Sequence, residues 1–355
     1  MSERSAAMGL TSSFLGAPED MADWRVAELA HRKGILATWL SEIEMTGGTL
    51  DPGPADYLTR AWRRVQMLHS LGADLAAVHD VTLIKGSMIA QHMPVGVLRQ
   101  SGDVSVVTRD EATLWRVVFD VQLRCDAIVR GLSVLSSADG DRQVGVWLKW
   151  PAEEALLDKP MGAMVSTCTF TGDLKQVGVR VAEIEDDDLL SLFAVAEERF
   201  QRKFRVGDLI DLAVLVPALI ATYGDGLADA VTGWAAKLCL APEVLELSRL
   251  VNEWWALPTE WSVVMAALAD MSTGETEVRR SGGRILHKAR YGVAIDEVPG
   301  SGLRLAVHSM SDCELATTPV GTFLLVPSAA IDEATYHRGL VAARNLHRRK
   351  GTARW

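Results

Sequence analysis

Along the chain the spacing of apolar residues switches between a helical and a strand period. From Met21 to about Leu71 they recur three to four residues apart (Trp24, Val26, Leu29, then Ile35, Leu36, Leu40). This spacing predicts two or three amphipathic helices, broken by TGGTLDPGPADY. The period then shortens. VTLIKG predicts a short buried strand, SMIAQHM a short helix stopped by Pro94, and DVSVVT a strand with two-residue alternation. Thr108 and Glu111 have the spacing of a capping box for a helix carrying Leu114, Trp115, Val118 and Val121. LSVLSS and RQVGVWLKW flank ADGD, a hairpin-turn signal.

From about Ile184 to Leu257 the pattern is almost wholly helical, and DDDLLSLFAVAEERF opens with acids where a helix dipole favours them. STGETEVRRSGG predicts a loop. RILHKARYGVAI, GLRLAVHSM and GTFLLVPS are strand-like, and IDEATYHRGLVAARNLHRRKG predicts a closing helix with a basic end. The fold class expected is α+β: a small mixed sheet with flanking helices, a helical bundle-like C-terminal half and a small appendage. The organisation expected is a flexible lead-in (1–20), N-terminal helices (21–71), an α/β domain (72–160), a helical domain (161–275) and an α+β appendage with its own sheet (280–355).

At 355 residues there is room for two or three such domains. A net charge of −10 argues against nucleic acid and anionic membrane surfaces as partners, because both select basic proteins. The longest apolar runs, such as LIDLAVLVPALIATY, contain an Asp and a Pro and are too short to predict a membrane span. The first residues lack the basic and apolar regions of a secretory signal. The four cysteines, Cys125, Cys168, Cys239 and Cys313, lie far apart, the usage expected of reduced thiols in a cytoplasmic protein, and have no metal-site spacing.

The candidate chemistry lies between Leu83 and Trp150. Lys85-Gly86-Ser87 follows the first strand, Met93-Pro94 ends the short helix, and Arg99 precedes Gly102-Asp103-Val104-Ser105-Val106-Val107. VWLKW, Val146 to Trp150, comes later, and FRVGDLIDLAVLV lies in the helical part. In this order the four pieces resemble the nucleotidyltransferase superfamily, and most closely its bacterial branch of nucleotidyltransferase family proteins. The resemblance covers roughly residues 20–260. In that branch the strand reads Gly-Asp-Ile-Asp, and a later strand carries an acid before Leu-His-Trp.

The resemblance implies a fold in which three carboxylates hold two Mg²⁺ ions on a nucleoside triphosphate. Mg²⁺ takes hard oxygen ligands, and carboxylates at i and i+2 of a strand point to one face. In this chain only Asp103 remains of that set. Ser105 stands at the i+2 position, and Trp147 is expected at the third. Asp120, Asp126, Asp139, Asp141, Glu153 and Glu154 are the acids nearby in sequence to be tested as substitutes.

The catalytic candidates are therefore Asp103, Lys85 and Lys149, and the ligand-binding candidates Gly86, Ser87, Arg99, Ser105, Trp147 and His92. Each has a plainer reading. Lys85 at a strand end can pair with Asp103, Arg99 with Asp103 or a helix carboxylate, and Ser87 can be a helix N-cap. His92 can be structural, and Asp208 and Asp211 can pair with Arg202, Arg205 or a backbone group.

Three functions stay open. The first is a repurposed nucleotidyltransferase fold without metal or cofactor, acting on or binding a peptide or small-molecule intermediate in specialised-metabolite biosynthesis, near which the resembling proteins often occur. The second is an active transferase using Mg²⁺ and a nucleoside triphosphate. The third is a non-catalytic scaffold with a protein partner on the C-terminal appendage.

Overall fold

The computed structural model describes residues 9–17, 21–136, 141–281, 288–300, 302–311, 313–328 and 330–350. The chain divides into two compact units, each assembled from three separated segments. The first comprises residues 1–70, 83–102 and 182–284; the second comprises 71–82, 103–181 and 285–355. This interleaving replaces the linear series of domains expected from the sequence.

The first unit is helical. It contains α1 (Leu10–Leu15), α2 (Asp23–Arg32), α3 (Leu36–Met45) and most of α4 (Pro52–Val78). The four-residue α5 (Ser87–Ala90) follows, then α7 (Asp187–Gln201), α8 (Val206–Tyr223), α9 (Leu227–Leu238), α10 (Ala241–Trp254) and α11 (Thr259–Ser281).

Two expectations fail in this unit. Residues 9–17 are no flexible lead-in, because Leu10, Phe14 and Leu15 are buried and Glu42 accepts hydrogen bonds from the amide and hydroxyl of Thr11. Nor is STGETEV a loop, because α11 runs through it to Ser281; Gly282 and Gly283 lie outside the described residues. Arg279 anchors that end of α11 to Glu243, with both guanidinium arms on the carboxylate at 2.7 and 2.8 Å.

The stretch Val206–Leu238 is long and apolar enough to cross a membrane by length and composition. Half of its most apolar 18-residue window is buried inside the structure, where α8 packs on α7 and α10, and the helix is interrupted at Gly224 (φ 50°, ψ −126°). It serves as the core helix of this unit.

Among the described residues, nine strands form one mixed sheet in the order β1-β2-β5-β4-β3-β6-β9-β8-β7. They are β1 (Val81–Ile84), β2 (Asp103–Thr108), β3 (Ile128–Ser136), β4 (Arg142–Trp150), β5 (Met161–Ser166), β6 (Lys288–Asp296), β7 (Ala306–Ser309), β8 (Glu314–Thr318) and β9 (Gly321–Val326). β2 and β5 are parallel, and β4 pairs antiparallel with both β5 and β3. The second unit also holds α6 (Glu111–Cys125) and α12 (Glu333–Lys350).

The C-terminal strands therefore do not form their own sheet: β6 joins β3 from Leu132 to Ser136. They do keep a core cluster of their own, with Leu315, Leu324 and Val326 packed beside Ala343 and Leu346 of α12. The cap of α6 is Asp110, whose carboxylate accepts the Thr113 N–H at 2.9 Å, so Thr108 and Glu111 form no capping box. Ala138, Asp139 and Gly140 of the expected hairpin turn lie outside the described residues.

Candidate functional site

The site residues divide between the two units. On β2 and β4 of the second unit, strand alternation sorts side chains onto two faces. Val104, Val106, Val144, Val146, Leu148 and Trp150 are buried on one face, which α6 covers with Leu114, Val118 and Val121. Asp103 and Ser105 of β2 and Trp147 and Lys149 of β4 lie on the other.

The strand register arranges that second face in rows. Asp103 pairs with Gly162 of β5, and Gly162 pairs with Lys149. One row along, Ser105 pairs with Met164, and Met164 with Trp147. Trp147 is therefore not the direct neighbour of Ser105: β5 intervenes, and the backbones of β2 and β4 are about 9.5 Å apart. The neighbouring position is filled by Met164, on a strand whose run MGAMVS lacks the polar alternation that would have predicted it.

Two glycines shape this face. A Cβ on Gly162 would sit 3.2 Å from Lys149 Nζ, so the lysine side chain lies across β5 in space that any other residue would occupy. A Cβ on Gly131 of β3 would sit 3.5 Å from Trp147 Cε3, so the indole leans the opposite way, over β3. Trp147 remains 37 % exposed. Lys149 has no hydrogen-bond or ion-pair partner among the described residues.

Asp103 stands among Ser105, Gly162, Met164, Trp147 and Lys149, and none of these supplies a second carboxylate. Among the described residues no group of three His, Cys, Asp or Glu is placed to hold a metal ion. The nearby acids are engaged elsewhere or lie off the strands. Asp120 accepts from Arg124 at 2.7 Å and lies 3.1 Å from His79. Burial works against its charged form, but those hydrogen bonds outweigh burial and hold its carboxyl below the ordinary value. Asp126 is the left-handed residue that ends α6, and Glu153 and Glu154 lie beyond the end of β4. Among the described residues of β2, β4 and β5, Asp103 is the carboxylate that this face carries.

Lys85, Gly86, Ser87, His92 and Arg99 belong to the first unit, where helix carboxylates take up their cations. Lys85 pairs with Glu198 of α7, the carboxylate that Arg202 also reaches at 3.2 Å. Lys85 has φ 60°, a left-handed conformation costly for a side chain with a Cβ, and Gly86 continues the turn at φ 49°. Gly86, not Ser87, occupies the cap position of α5; the Ser87 hydroxyl instead touches Met88 Sδ at 3.9 Å. His92 Nε2 lies 2.6 Å from Asp188 Oδ1.

Arg99 forks onto Asp211, with Nε and Nη2 each 2.7 Å from a carboxylate oxygen. Asp208 accepts from Arg202 and from the Arg205 N–H, the pairing expected for an acid in an apolar helix. His69 on α4 was not signalled by any motif. Burial first, and the charge of Arg99 second, hold its imidazole below the ordinary value, and its buried Nε2 has no hydrogen-bond partner among the described residues.

No family model, no curated protein and no solved structure matches the chain.

Proposed function

We propose that this chain uses a nucleotidyltransferase-like frame to bind a peptide or small-molecule intermediate in specialised-metabolite biosynthesis, without Mg²⁺-dependent nucleotidyl transfer. The observation carrying this reading is the row Asp103–Gly162–Lys149, in which an amine lies over the glycine that separates it from the one remaining carboxylate. Two Mg²⁺ ions bring four positive charges, and a single carboxylate beside an ammonium offers them almost no net attraction. Lys149 instead supplies a cation for an anionic ligand, and Trp147 supplies a flat apolar surface.

The reading is tested by Mn²⁺, a paramagnetic substitute for Mg²⁺, titrated into the protein and followed by electron paramagnetic resonance. The wild-type chain should leave Mn²⁺ free, and Ser105→Asp, which restores the i+2 carboxylate, should increase binding. Tight binding by the wild type that Asp103→Ala removes would sink the proposal.

A further inference from the structure

We infer that Lys149 and Trp147 form a two-point site for an organic anion, such as a peptide with a free C-terminus, whose planar apolar group lies about 12 Å from its anionic group. This rests on the metal-free reading above and names the class of ligand for that same face.

The contrast among the cations is the starting point. Lys85, His92 and Arg99 each meet a carboxylate, at Glu198, Asp188 and Asp211. Lys149 is partly buried on its strand and meets none among the described residues. Its amine is held over Gly162, where the absence of a side chain leaves the room it occupies. An amine held in place without a partner presents its N–H donors to an incoming acceptor.

The second point is Trp147, two residues earlier on the same face. Its indole lies beside Gly131 and the residue remains 37 % exposed, which leaves part of it accessible to an apolar partner. The two side chains lean apart, the amine over β5 and the indole over β3. Two inter-strand steps combined with two residues of strand rise put these positions about 12 Å apart. No single amino acid spans that distance, whereas a tripeptide with an aromatic first residue and a free C-terminus does, since extended chain covers about 3.3 Å per residue.

Calorimetric titration of the full chain with N-acetyl-phenylalanyl-glycyl-glycine tests the inference. Binding is expected, weakened about tenfold or more when the carboxylate is amidated or phenylalanine is replaced by alanine. Lys149→Met and Trp147→Ala should weaken it similarly, and Lys149→Arg, which keeps the charge, should retain most of it. No binding to the wild type, equal binding of the amide, or unchanged binding by Lys149→Met overturns the inference. Titration of ATP with Mg²⁺ on the same sample separates the two failures. If neither the peptide nor Mg²⁺–ATP binds, only the ligand class falls. If Mg²⁺–ATP binds and Asp103→Ala abolishes it, the metal-free reading falls as well.

Discussion

Arg99 holds Asp211 with two arms of its guanidinium, each 2.7 Å from a carboxylate oxygen, across 112 residues of sequence. The two side chains are 14 % and 8 % exposed, so removing Arg99 takes the fork from a carboxylate held away from water. Arg99→Ala should lower unfolding free energy by about 3 kcal/mol, within the range for breaking a largely buried pair. Arg99→Lys keeps the charge but loses the fork and should cost less. Denaturant unfolding measures both, and a ligand-binding loss with unchanged stability would assign Arg99 to recognition instead.

Lys85 combines an ion pair with an unfavourable backbone. Its φ of 60° costs a residue with a Cβ about 1–2 kcal/mol that glycine does not incur. Lys85→Ala loses the Glu198 pair and keeps the strain; Lys85→Gly loses the same pair and releases it. The glycine variant should therefore be the more stable of the two by about 1 kcal/mol, measured by chemical denaturation. Equal stability, or a more stable alanine variant, would mean that the left-handed turn is not formed.

The helices and strands with clean periods were readable in the sequence, and the pairings were not. DVSVVT alternates in burial along its whole length, and RQVGVWLKW does so from Val146 to Trp150. β5 was missed because MGAMVS is small and apolar on both faces, which gives no period to read. β5 stands between β2 and β4, so Ser105 pairs with Met164, and Trp147, expected at the third carboxylate position, lies one strand further on. α1 was missed because Thr11 and Ser12 look like loop residues, and the acceptor that makes Thr11 tolerable is Glu42, 31 residues away. The partner of Lys85 is similarly distant, 113 residues on at Glu198. Local periods report burial, whereas ion pairs and strand order depend on long-range packing.

Glu42 provides a pH test. Burial raises its carboxyl above the ordinary 4.5, and the hydrogen bonds from Thr11 only partly oppose this. Folding therefore favours the protonated form, and the stabilisation is fully present below the unfolded value and lost as pH rises through the folded one. Glu42→Gln mimics the protonated acid, so it should raise the melting temperature at neutral pH, and the difference should vanish below about pH 4. A destabilised variant at neutral pH would show that the ionised form is the one the fold prefers.

Gly162 tests whether the position of Lys149 matters. A Cβ there would lie 3.0 Å from the Leu148 carbonyl oxygen and 3.2 Å from Lys149 Nζ. Gly162→Ala should cost about 1–3 kcal/mol from crowding and displace the amine. Its ligand affinity should fall further than that of Gly53→Ala, where no atom lies within 4 Å of the added carbon. Parallel titrations of the two folded variants measure this, and equal affinities would show that the amine need not lie over β5.

The most direct test of the central claim is calorimetric titration of ATP, GTP and CTP into the chain with and without Mg²⁺. With Asp103 flanked by Ser105, Gly162 and Lys149 instead of further carboxylates, no Mg²⁺-dependent binding is predicted. Micromolar binding that requires Mg²⁺ and disappears in Asp103→Ala would contradict the account.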